Sequence, residues 1–480
     1  MPFDEILSIS FYCAILFGIG FISLKKEMSS NDYLIGGRSM NYWLTALAAH
    51  ASDMSSWLFM AFPMQIYLYG MFDAWSAIGL TVFMYLNWQF VAPKVRTLTE
   101  KYNSLTFSSF FESRFNDKSG VIRIFTAIMS LCFFTVYISA GLVGLGLVVN
   151  SLFNVDYYIA ITVGVFVVIP YLFIGGYRTL AYIDLFQGMF LLVVIVGVPL
   201  YALHEIGGFN VMIEGIKQKD LSLSLFPAFD GKTFLGILNL FAGWGIGYFG
   251  QPHIVTKFMG ISDVKNIPKA KYVGITWQII ALTAATLVGL VGIAFFPKGL
   301  ADPQLIFVRM VRELFNPMLS AFVLCAGLAA TISTMDSQIL VLASSLTEDF
   351  YKRVFRKGAS SKELLWTSRT FVMIVSAIAY VIAFLNQSTI YDLVLYAWSG
   401  LGASFGPLLL FSLYSKRVNK FGAWAGILVG GTTAATWNFL STPFDPLLPG
   451  FVFSCIAIWL FSFIKPKGHV LQDIEREVTA

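Results

Sequence analysis

Thirteen apolar stretches long enough to cross a lipid bilayer fill most of this 480-residue chain, and no other feature limits its fold as strongly. About 20 consecutive apolar residues cross the hydrocarbon core as a helix. Only 12% of the residues are charged, against roughly 25% in a typical soluble domain. The sequence therefore predicts an all-α integral membrane protein, a single transmembrane domain over residues 1–480. Spans 1 to 13 are predicted near residues 5–24, 42–68, 74–92, 122–150, 157–175, 181–203, 233–256, 273–297, 318–347, 365–385, 391–415, 421–441 and 448–464.

The distribution of basic residues predicts the orientation of the spans. All but six of the 32 Lys and Arg residues fall on one side when the loops are alternated, and the positive-inside rule makes that side cytoplasmic. We expect a multi-pass protein of the inner (cytoplasmic) membrane, with its N-terminus outside and its C-terminus inside. The cytoplasmic group includes Lys25 and Lys26 after span 1, Lys257 after span 7, and Lys465, Lys467 and Arg476 in the C-terminal tail.

The loops are too short for most other functions. The longest, near residues 93–121 and 204–232, hold only about 30 residues, too few for a soluble catalytic domain. The chain has no phosphate-binding GxxxxGK[ST] loop, no HExxH and no CxxC, so neither ATP-driven pumping nor metal-dependent hydrolysis has its usual motif. We expect a protein that is not an enzyme, binds no nucleic acid, and needs no obligate protein partner.

Span 2 contains an ionisable side chain, Asp53, in the small and hydroxylated run of residues 51–56. A carboxylate in hydrocarbon costs several kcal/mol unless it is paired, so such a residue indicates a functional site. A run of small residues can also unwind and present backbone carbonyls to a cation. His50, beside Asp53, is an alternative proton carrier, although a single His on a helix is more often structural.

Span 7 has a matching interruption, because Gly243, Gly245, Gly247 and Gly250 precede Pro252. These residues weaken a helix, and spans five apart run in opposite directions through the membrane. Interrupted helices at equivalent positions of inverted halves indicate a secondary-transporter site. The predicted repeats cover residues 42–203 and 233–415, with peripheral helices at 5–24, 421–441 and 448–464. Close packing of small residues is the alternative explanation.

One face of span 9 is lined by small and hydroxylated residues. Ala330, Ser333, Thr334 and Ser337 have the spacing i, i+3, i+4, i+7 and share this face. Hydroxyl oxygens are suitable ligands for Na⁺, although Ser and Thr also hydrogen-bond within their own helix or join neighbouring helices. Asp336 lies next to them, which those structural roles do not explain.

Four segments resemble the sodium/solute symporter family, and its proline-transporting branch in particular: DYLIGGRS (32–39), ASDMS (51–55), GYFGQPHI (247–254) and LTED (346–349). The resemblance extends from near residue 5 to about residue 465. It implies the LeuT-type fold, with a 5+5 inverted repeat, thirteen transmembrane helices and broken helices in spans 2 and 7.

The resemblance also implies the positions of the site residues. One Na⁺ would bind the carbonyls of Ala51, Met54 and Ala330 and the hydroxyls of Ser333 and Thr334, and Asp53 matches an essential acidic position. The implied substrate-site residues are Ser55, Trp57, Tyr137, Trp244, Tyr248 and Gln251, although ordinary aromatic packing alone would explain Tyr137.

A second cation site is a further expectation. Asp184 matches a position that helps to bind a second Na⁺ in some relatives, and Asp336 stands where the proline branch has a small hydroxyl residue. Because two carboxylates in a low dielectric repel, we expect a second Na⁺ between Asp184, Asp336 and Ser337. In the alternative, Asp336 pairs with a basic residue and acts as a gate.

We therefore expect Na⁺-coupled uptake of a small zwitterion, L-proline above all, by alternating access, with Na⁺ as the coupling ion. Another solute of the same family, such as pantothenate, a sugar or sialic acid, is the alternative. A transporter-like sensor or channel is favoured less, since the tail after Lys465 is short and no repeated pore motif is present.

Overall fold

The computed structural model describes residues 3–23, 30–174, 176–385 and 388–464, and this part of the chain consists of helices joined by turns and irregular segments. Within these ranges there is no β-strand, only an isolated bridge between Met40 and Ile261. The basic residues predicted to be cytoplasmic after span 1 and in the tail, Lys25, Lys26, Lys465, Lys467 and Arg476, lie outside the described residues.

Eleven helices make up the first half of the fold. Two of them begin with a side-chain cap: Asn41 accepts a hydrogen bond from the Leu44 backbone at α3, and Thr106 accepts one from the Ser109 backbone at α7. They are α1 (Phe3–Ser23), α2 (Ser30–Ile35), α3 (Tyr42–Ser56), α4 (Phe62–Tyr69), α5 (Ala74–Leu86), α6 (Ala92–Lys101), α7 (Phe107–Phe115), α8 (Val121–Phe153), α9 (Tyr157–Ile174), α10 (Tyr177–Glu205) and α11 (Phe209–Gln218).

Nine further helices complete the fold. Asn316 caps α16 in the same way as Asn41 caps α3, and Pro317 follows it at the first helical position. The helices are α12 (Gly231–Gly245), α13 (Pro252–Met259), α14 (Ile267–Phe295), α15 (Ile306–Leu314), α16 (Pro317–Ser344), α17 (Ser361–Leu385), α18 (Ile390–Tyr414), α19 (Lys420–Thr436) and α20 (Leu447–Phe461).

Nine helical segments of the described chain are long and apolar enough to cross a membrane, which makes this a multi-pass membrane protein. One of them, Tyr42–Lys101, contains two predicted spans, and a turn at Gly70–Asp73 separates them. Predicted spans 5, 12 and 13 are not among these nine segments. They coincide with the shorter helices α9, α19 and α20, which have 18, 17 and 15 residues.

Regular helical geometry is lost at both of the predicted interruptions, in spans 2 and 7. In α3 the backbone at Ser55 leaves the helical region, with φ 41° and ψ −163°, and a π-helical turn follows at Trp57–Ala61. After α12 the chain forms a 3₁₀ turn at Ile246–Gly250 and becomes extended at Gln251, before α13 begins at Pro252. Both departures free backbone polar groups in the interior.

The two interrupted helices lie at the centre of the bundle. All residues of α3 from Leu44 to Ser56 are buried, and the helix packs against α10, α14 and α16. The turn at Ile246–Gly250 packs against α18, which also contacts α8. Gly188 of α10 permits one of these close approaches, since an added Cβ would lie 3.1 Å from the Cβ of Ala51. The site residues are thus enclosed on every side by helices.

Candidate functional site

The buried carboxylate of Asp53 is held by a tyrosine from the other interrupted helix. The side chain is 6% exposed, and its Oδ2 accepts a hydrogen bond of 2.5 Å from the Tyr248 hydroxyl. The amide of Gln278 on α14 donates to the same hydroxyl at 3.2 Å. Since this oxygen accepts from Gln278, its own proton is directed to Asp53. A second amide, on Asn87, donates to the Tyr248 carbonyl at 3.1 Å.

Aromatic rings surround the carboxylate and enclose a small cavity. The space is about 20 Å³, close to the volume that one water molecule needs, so an amino acid could enter only if the walls moved. The rings of Trp57 and Trp244 lie 5.1 Å apart, and Trp244 donates to the Tyr391 hydroxyl at 3.3 Å. The cavity is lined by Asp53, Met54, Trp57, Leu80, Tyr137, Trp244, Tyr248, Val394 and Trp398.

Two of the predicted substrate residues lie at the helix breaks and do not line this cavity. Ser55 donates its backbone N–H to the Thr334 hydroxyl at 3.1 Å, and its own hydroxyl accepts from the Trp57 N–H. The Gln251 amide donates to the Trp398 carbonyl at 3.1 Å and to the Gly247 carbonyl at 3.3 Å. Both residues therefore bridge elements of the site in this conformation.

The residues predicted to bind Na⁺ lie on α3 and α16, two helices that pack against each other. The Ser333 hydroxyl donates to the Ala51 carbonyl at 2.9 Å, and the Thr334 hydroxyl donates to the Ala330 carbonyl at 3.0 Å. The Met54 carbonyl accepts from the Trp57 N–H, just before the break at Ser55. The Ser333 hydroxyl and the Ala51 carbonyl thus join the two helices directly, whereas the Ala330 and Met54 carbonyls are bonded to neighbours in their own segments. Hydroxyl and carbonyl oxygens are the ligands that a hard cation such as Na⁺ prefers.

The second predicted cation cluster contains a lysine that the sequence analysis assigned to a loop. Lys257 is buried in α13 at 3% exposure, and its ammonium lies 3.1 Å from Asp184 Oδ2 and 2.9 Å from the Ser337 hydroxyl. Asp336 is also buried, and its Oδ1 has no hydrogen-bond partner among the described residues. The loop assignment of Lys257 is therefore wrong, because α13 carries its side chain inward.

Sequence reasoning missed several other residues of the site. Gln278 and Asn87 are polar amides within spans 8 and 3, and their polarity in an apolar segment was the available signal. Trp398 donates from its indole to the Trp244 carbonyl at 2.8 Å. Nothing in the sequence distinguishes Trp398 or Tyr391 from the many other aromatic residues, because their contacts come from distant elements.

The fold and this site together define a class of protein. Apolar helices enclose two adjacent sites. In one, the Asp53 carboxylate lies among aromatic rings, and in the other, the Ser333 hydroxyl bonds to the Ala51 carbonyl near the break at Ser55. Buried polar groups of this kind at interrupted helices are the arrangement of a secondary membrane transporter.

The comparisons with known proteins identify the family. The model of the sodium:solute symporter family matches residues 33–430. The high-affinity proline transporter of Bacillus subtilis (strain 168) is 41% identical over 452 residues, 93% of this chain and 95% of the relative. The sodium/proline symporter of Escherichia coli (strain K12) is 38% identical over 482 residues, 98% of this chain and 95% of the relative. This chain belongs to the sodium:solute symporter family and is a transporter, not an enzyme.

Solved structures share the fold. A Na⁺-coupled sialic acid symporter in a substrate-bound, outward-open state superposes with a TM-score of 0.83 at 16% identity, covering 97% of this chain and 98% of that one. MhsT in complex with L-phenylalanine gives a TM-score of 0.58, also at 16% identity, and the match covers 89% of this chain and 98% of that one. The likeness in the fold therefore extends well beyond recognisable sequence similarity.

Proposed function

We propose that this protein carries L-proline into the cell together with Na⁺, by alternating access. The observation that carries the proposal is that the substrate cavity and the Na⁺ ligands are adjacent. The Ser55 backbone N–H donates to the Thr334 hydroxyl, and this bond joins the segment that holds Asp53 to the helix that holds Ser333. Ions and solute held so close together can each favour the conformation that the other needs, and such coupling is reciprocal. Two relatives named as proline transporters, at 41% and 38% identity over nearly the whole chain, support proline as the solute.

Na⁺ would bind where α3 and α16 meet. The ligands would be the carbonyls of Ala51, Met54 and Ala330 with the hydroxyls of Ser333 and Thr334. The two hydroxyls now donate to the carbonyls of Ala51 and Ala330. Rotation of each O–H would turn the oxygen lone pairs towards a cation and release both carbonyls to coordinate it. Asp53, close by, would supply negative charge that favours the bound ion.

Proline would occupy the aromatic cavity beside Asp53. Trp57, Tyr137, Trp244 and Tyr248 would enclose the pyrrolidine ring, whose secondary ammonium can lie against an aromatic face. Half-helix N-termini at the breaks would attract the substrate carboxylate through exposed backbone N–H groups. Ser55 and Gln251 lie at those breaks, so a small rearrangement would turn them towards the substrate.

The architecture that fits this cycle is the LeuT-type inverted repeat. We propose thirteen transmembrane helices, with repeats over residues 42–203 and 233–415 and the helices near 5–24, 421–441 and 448–464 outside them. The interruptions at Ser55 and Gln251 would be the paired breaks of spans 2 and 7. The positive-inside pattern supports an inner-membrane protein with its N-terminus outside and its C-terminus in the cytoplasm.

The test is uptake by purified protein in proteoliposomes. Radiolabelled proline should accumulate only under an inward Na⁺ gradient, and unlabelled proline should compete far better than pantothenate, a sugar or sialic acid. An inward proton gradient alone should not drive uptake. Accumulation without Na⁺, or stronger competition by another solute of the panel, would overturn the proposal.

A further inference from the structure

A buried lysine occupies the place where a second cation was expected. Lys257 belongs to α13, directly after the break in span 7, and its ammonium donates to Asp184 of α10 and Ser337 of α16. The Nζ atom also lies 5.1 Å from the centre of the Tyr177 ring, and the Tyr177 hydroxyl donates to the Lys257 carbonyl at 3.3 Å. Three helices and an aromatic ring thus fix the ammonium in one position.

The charges around this ammonium explain why a lysine is tolerated in the interior. Asp184 is 2% exposed and Asp336 is 1% exposed, and Asp336 directly precedes Ser337, whose hydroxyl accepts a hydrogen bond from Lys257. Two carboxylates buried together repel each other strongly unless a positive charge lies near both. Lys257 supplies that positive charge, and the carboxylates in turn offset the cost of burying the ammonium.

We propose that the Lys257 ammonium is a built-in cation that fills this second site, so that the protein carries one Na⁺ per solute. An ammonium and Na⁺ carry the same charge and are both bound by carboxylate and hydroxyl oxygens. Unlike Na⁺, the ammonium is covalently attached and cannot be released into the cytoplasm, so this site contributes no driving force to transport. The inference rests on the proposed Na⁺ coupling, and it places the Lys257 ammonium where the sequence analysis expected a second Na⁺.

The geometry favours this role over a gate formed by Asp336. A gating pair would join Lys257 to Asp336 directly, whereas the ion pair of 3.1 Å is made with Asp184. Asp336 instead adds a second negative charge to the cluster, and its Oδ1 is left without a hydrogen bond among the described residues. Removal of the ammonium would leave its two acceptors, the Asp184 carboxylate and the Ser337 hydroxyl, without a cation, and both are oxygen donors that suit Na⁺.

The test removes the charge and counts the ions. Wild type should carry one Na⁺ per proline, as measured by reversal potential in proteoliposomes, and should bind one ²²Na⁺ per molecule at saturation. Lys257→Met, which keeps an unbranched side chain without the charge, should raise both numbers to two. The control Lys257→Arg keeps the charge and should stay at one. The double variant Lys257→Met, Asp184→Asn should return to one.

Each result decides between the filled site and its alternatives. Two Na⁺ per proline in wild type, or one in Lys257→Met, would overturn the built-in cation. If Lys257→Met is too unstable for transport, its Tm in detergent is measured in NaCl and in choline chloride of the same ionic strength. The rise in Tm from choline chloride to NaCl should be larger for Lys257→Met than for wild type. An equal rise would overturn the inference. If proline uptake by the wild-type protein does not depend on Na⁺, the proposed function is refuted as well.

Discussion

At the scale of single residues, Asp53 is the residue on which the proposed function depends most, because it lies beside both the substrate cavity and the proposed Na⁺ site. Its carboxylate is buried in the middle of span 2, and its Oδ2 accepts a hydrogen bond from the Tyr248 hydroxyl. An ionised carboxylate at that depth gains much of its stabilisation from a nearby cation. The Tyr248 hydroxyl, in turn, is oriented by Gln278, so the carboxylate is fixed relative to both interrupted helices.

The first prediction follows from that burial. Asp53→Asn keeps the size of the side chain and removes its charge, so it should abolish Na⁺-driven proline uptake while the protein still inserts into the membrane. Uptake in proteoliposomes and yield from the membrane fraction measure the two effects. The control is Asp156→Asn, an exposed carboxyl between α8 and α9, which should transport normally. An Asp53→Asn protein with unchanged Na⁺ dependence would make Asp53 a structural residue.

The second prediction concerns the aromatic wall. Trp244→Ala should weaken proline binding about fivefold or more, because aromatic contacts of this kind are worth roughly 1 kcal/mol or more when desolvated. Binding of Na⁺ to the substrate-free protein should change less than about twofold, since the Trp244 side chain does not contact α16 or Asp53 by hydrogen bonds. Equilibrium binding of radiolabelled proline and ²²Na⁺ provides both values.

Trp244 separates the two effects better than Tyr248, whose hydroxyl is bonded to Asp53 and whose removal would disturb both sites. The control Trp459→Ala removes a ring that is 56% exposed on α20 and should leave proline binding unaltered. Unchanged proline affinity in Trp244→Ala would assign this ring to packing alone.

At the scale of secondary-structure elements, the site depends on how α3 meets α16. The Ser333 hydroxyl bonds to the Ala51 carbonyl, and the Thr334 hydroxyl accepts from the Ser55 N–H. The break in α3 is therefore stabilised by hydroxyls of the neighbouring helix, in addition to the conformational freedom of its own small residues. The same groups that satisfy the broken backbone are those proposed to bind Na⁺.

The third prediction tests this junction. The double variant Ser333→Ala, Thr334→Ala should raise the Na⁺ concentration for half-maximal uptake by about tenfold or more, while the order of competing solutes stays the same. Loss of ligands for a cation affects ion dependence first. The matched control is Thr331→Ala, Ser344→Ala on the same helix, whose hydroxyls donate to the Gly327 and Leu340 carbonyls of α16 itself. Normal Na⁺ activation in the Ser333→Ala, Thr334→Ala variant would show that Na⁺ binds at a different site.

The fourth prediction concerns the 3₁₀ turn after α12. A Cβ on Gly247 would lie 2.1 Å from the Trp398 indole nitrogen, which donates to the Trp244 carbonyl. Overpacking of a filled core typically costs about 1–3 kcal/mol, so Gly247→Ala should lower both the Tm and the uptake rate. Gly197→Ala is the control, because a Cβ there meets no atom within 4 Å. Equal Tm and uptake in the two variants would show that the turn tolerates a side chain.

The sequence predicts these elements to different extents. Hydrophobic length marks the helices, and polarity inside a span marks Asp53, Ser333 and Thr334, since a polar group in hydrocarbon needs a reason to be there. Lys257 could not be recognised in this way. It follows an apolar segment directly and has the appearance of a loop lysine at a membrane surface. Its burial depends on how α13 is oriented against α10 and α16, which only the tertiary packing decides.

At the scale of the whole molecule, the interior of the fold has the features that a member of the sodium:solute symporter family needs for transport. The described helices enclose the aromatic cavity and the hydroxyl cluster together, and the cavity at about 20 Å³ is too small for an amino acid. Substrate entry therefore requires movement of whole elements around the two breaks. Motion that opens the cavity to one side at a time is the requirement of alternating access.

The central claim is that Na⁺ and proline bind adjacent, coupled sites, and one equilibrium measurement tests it directly. The Kd of radiolabelled proline for purified protein is determined with and without saturating Na⁺, and the Kd of ²²Na⁺ with and without saturating proline. Linkage requires that both affinities improve by the same factor, and we predict a factor of tenfold or more. Proline binding with the same Kd in Na⁺ and in choline would contradict the claim.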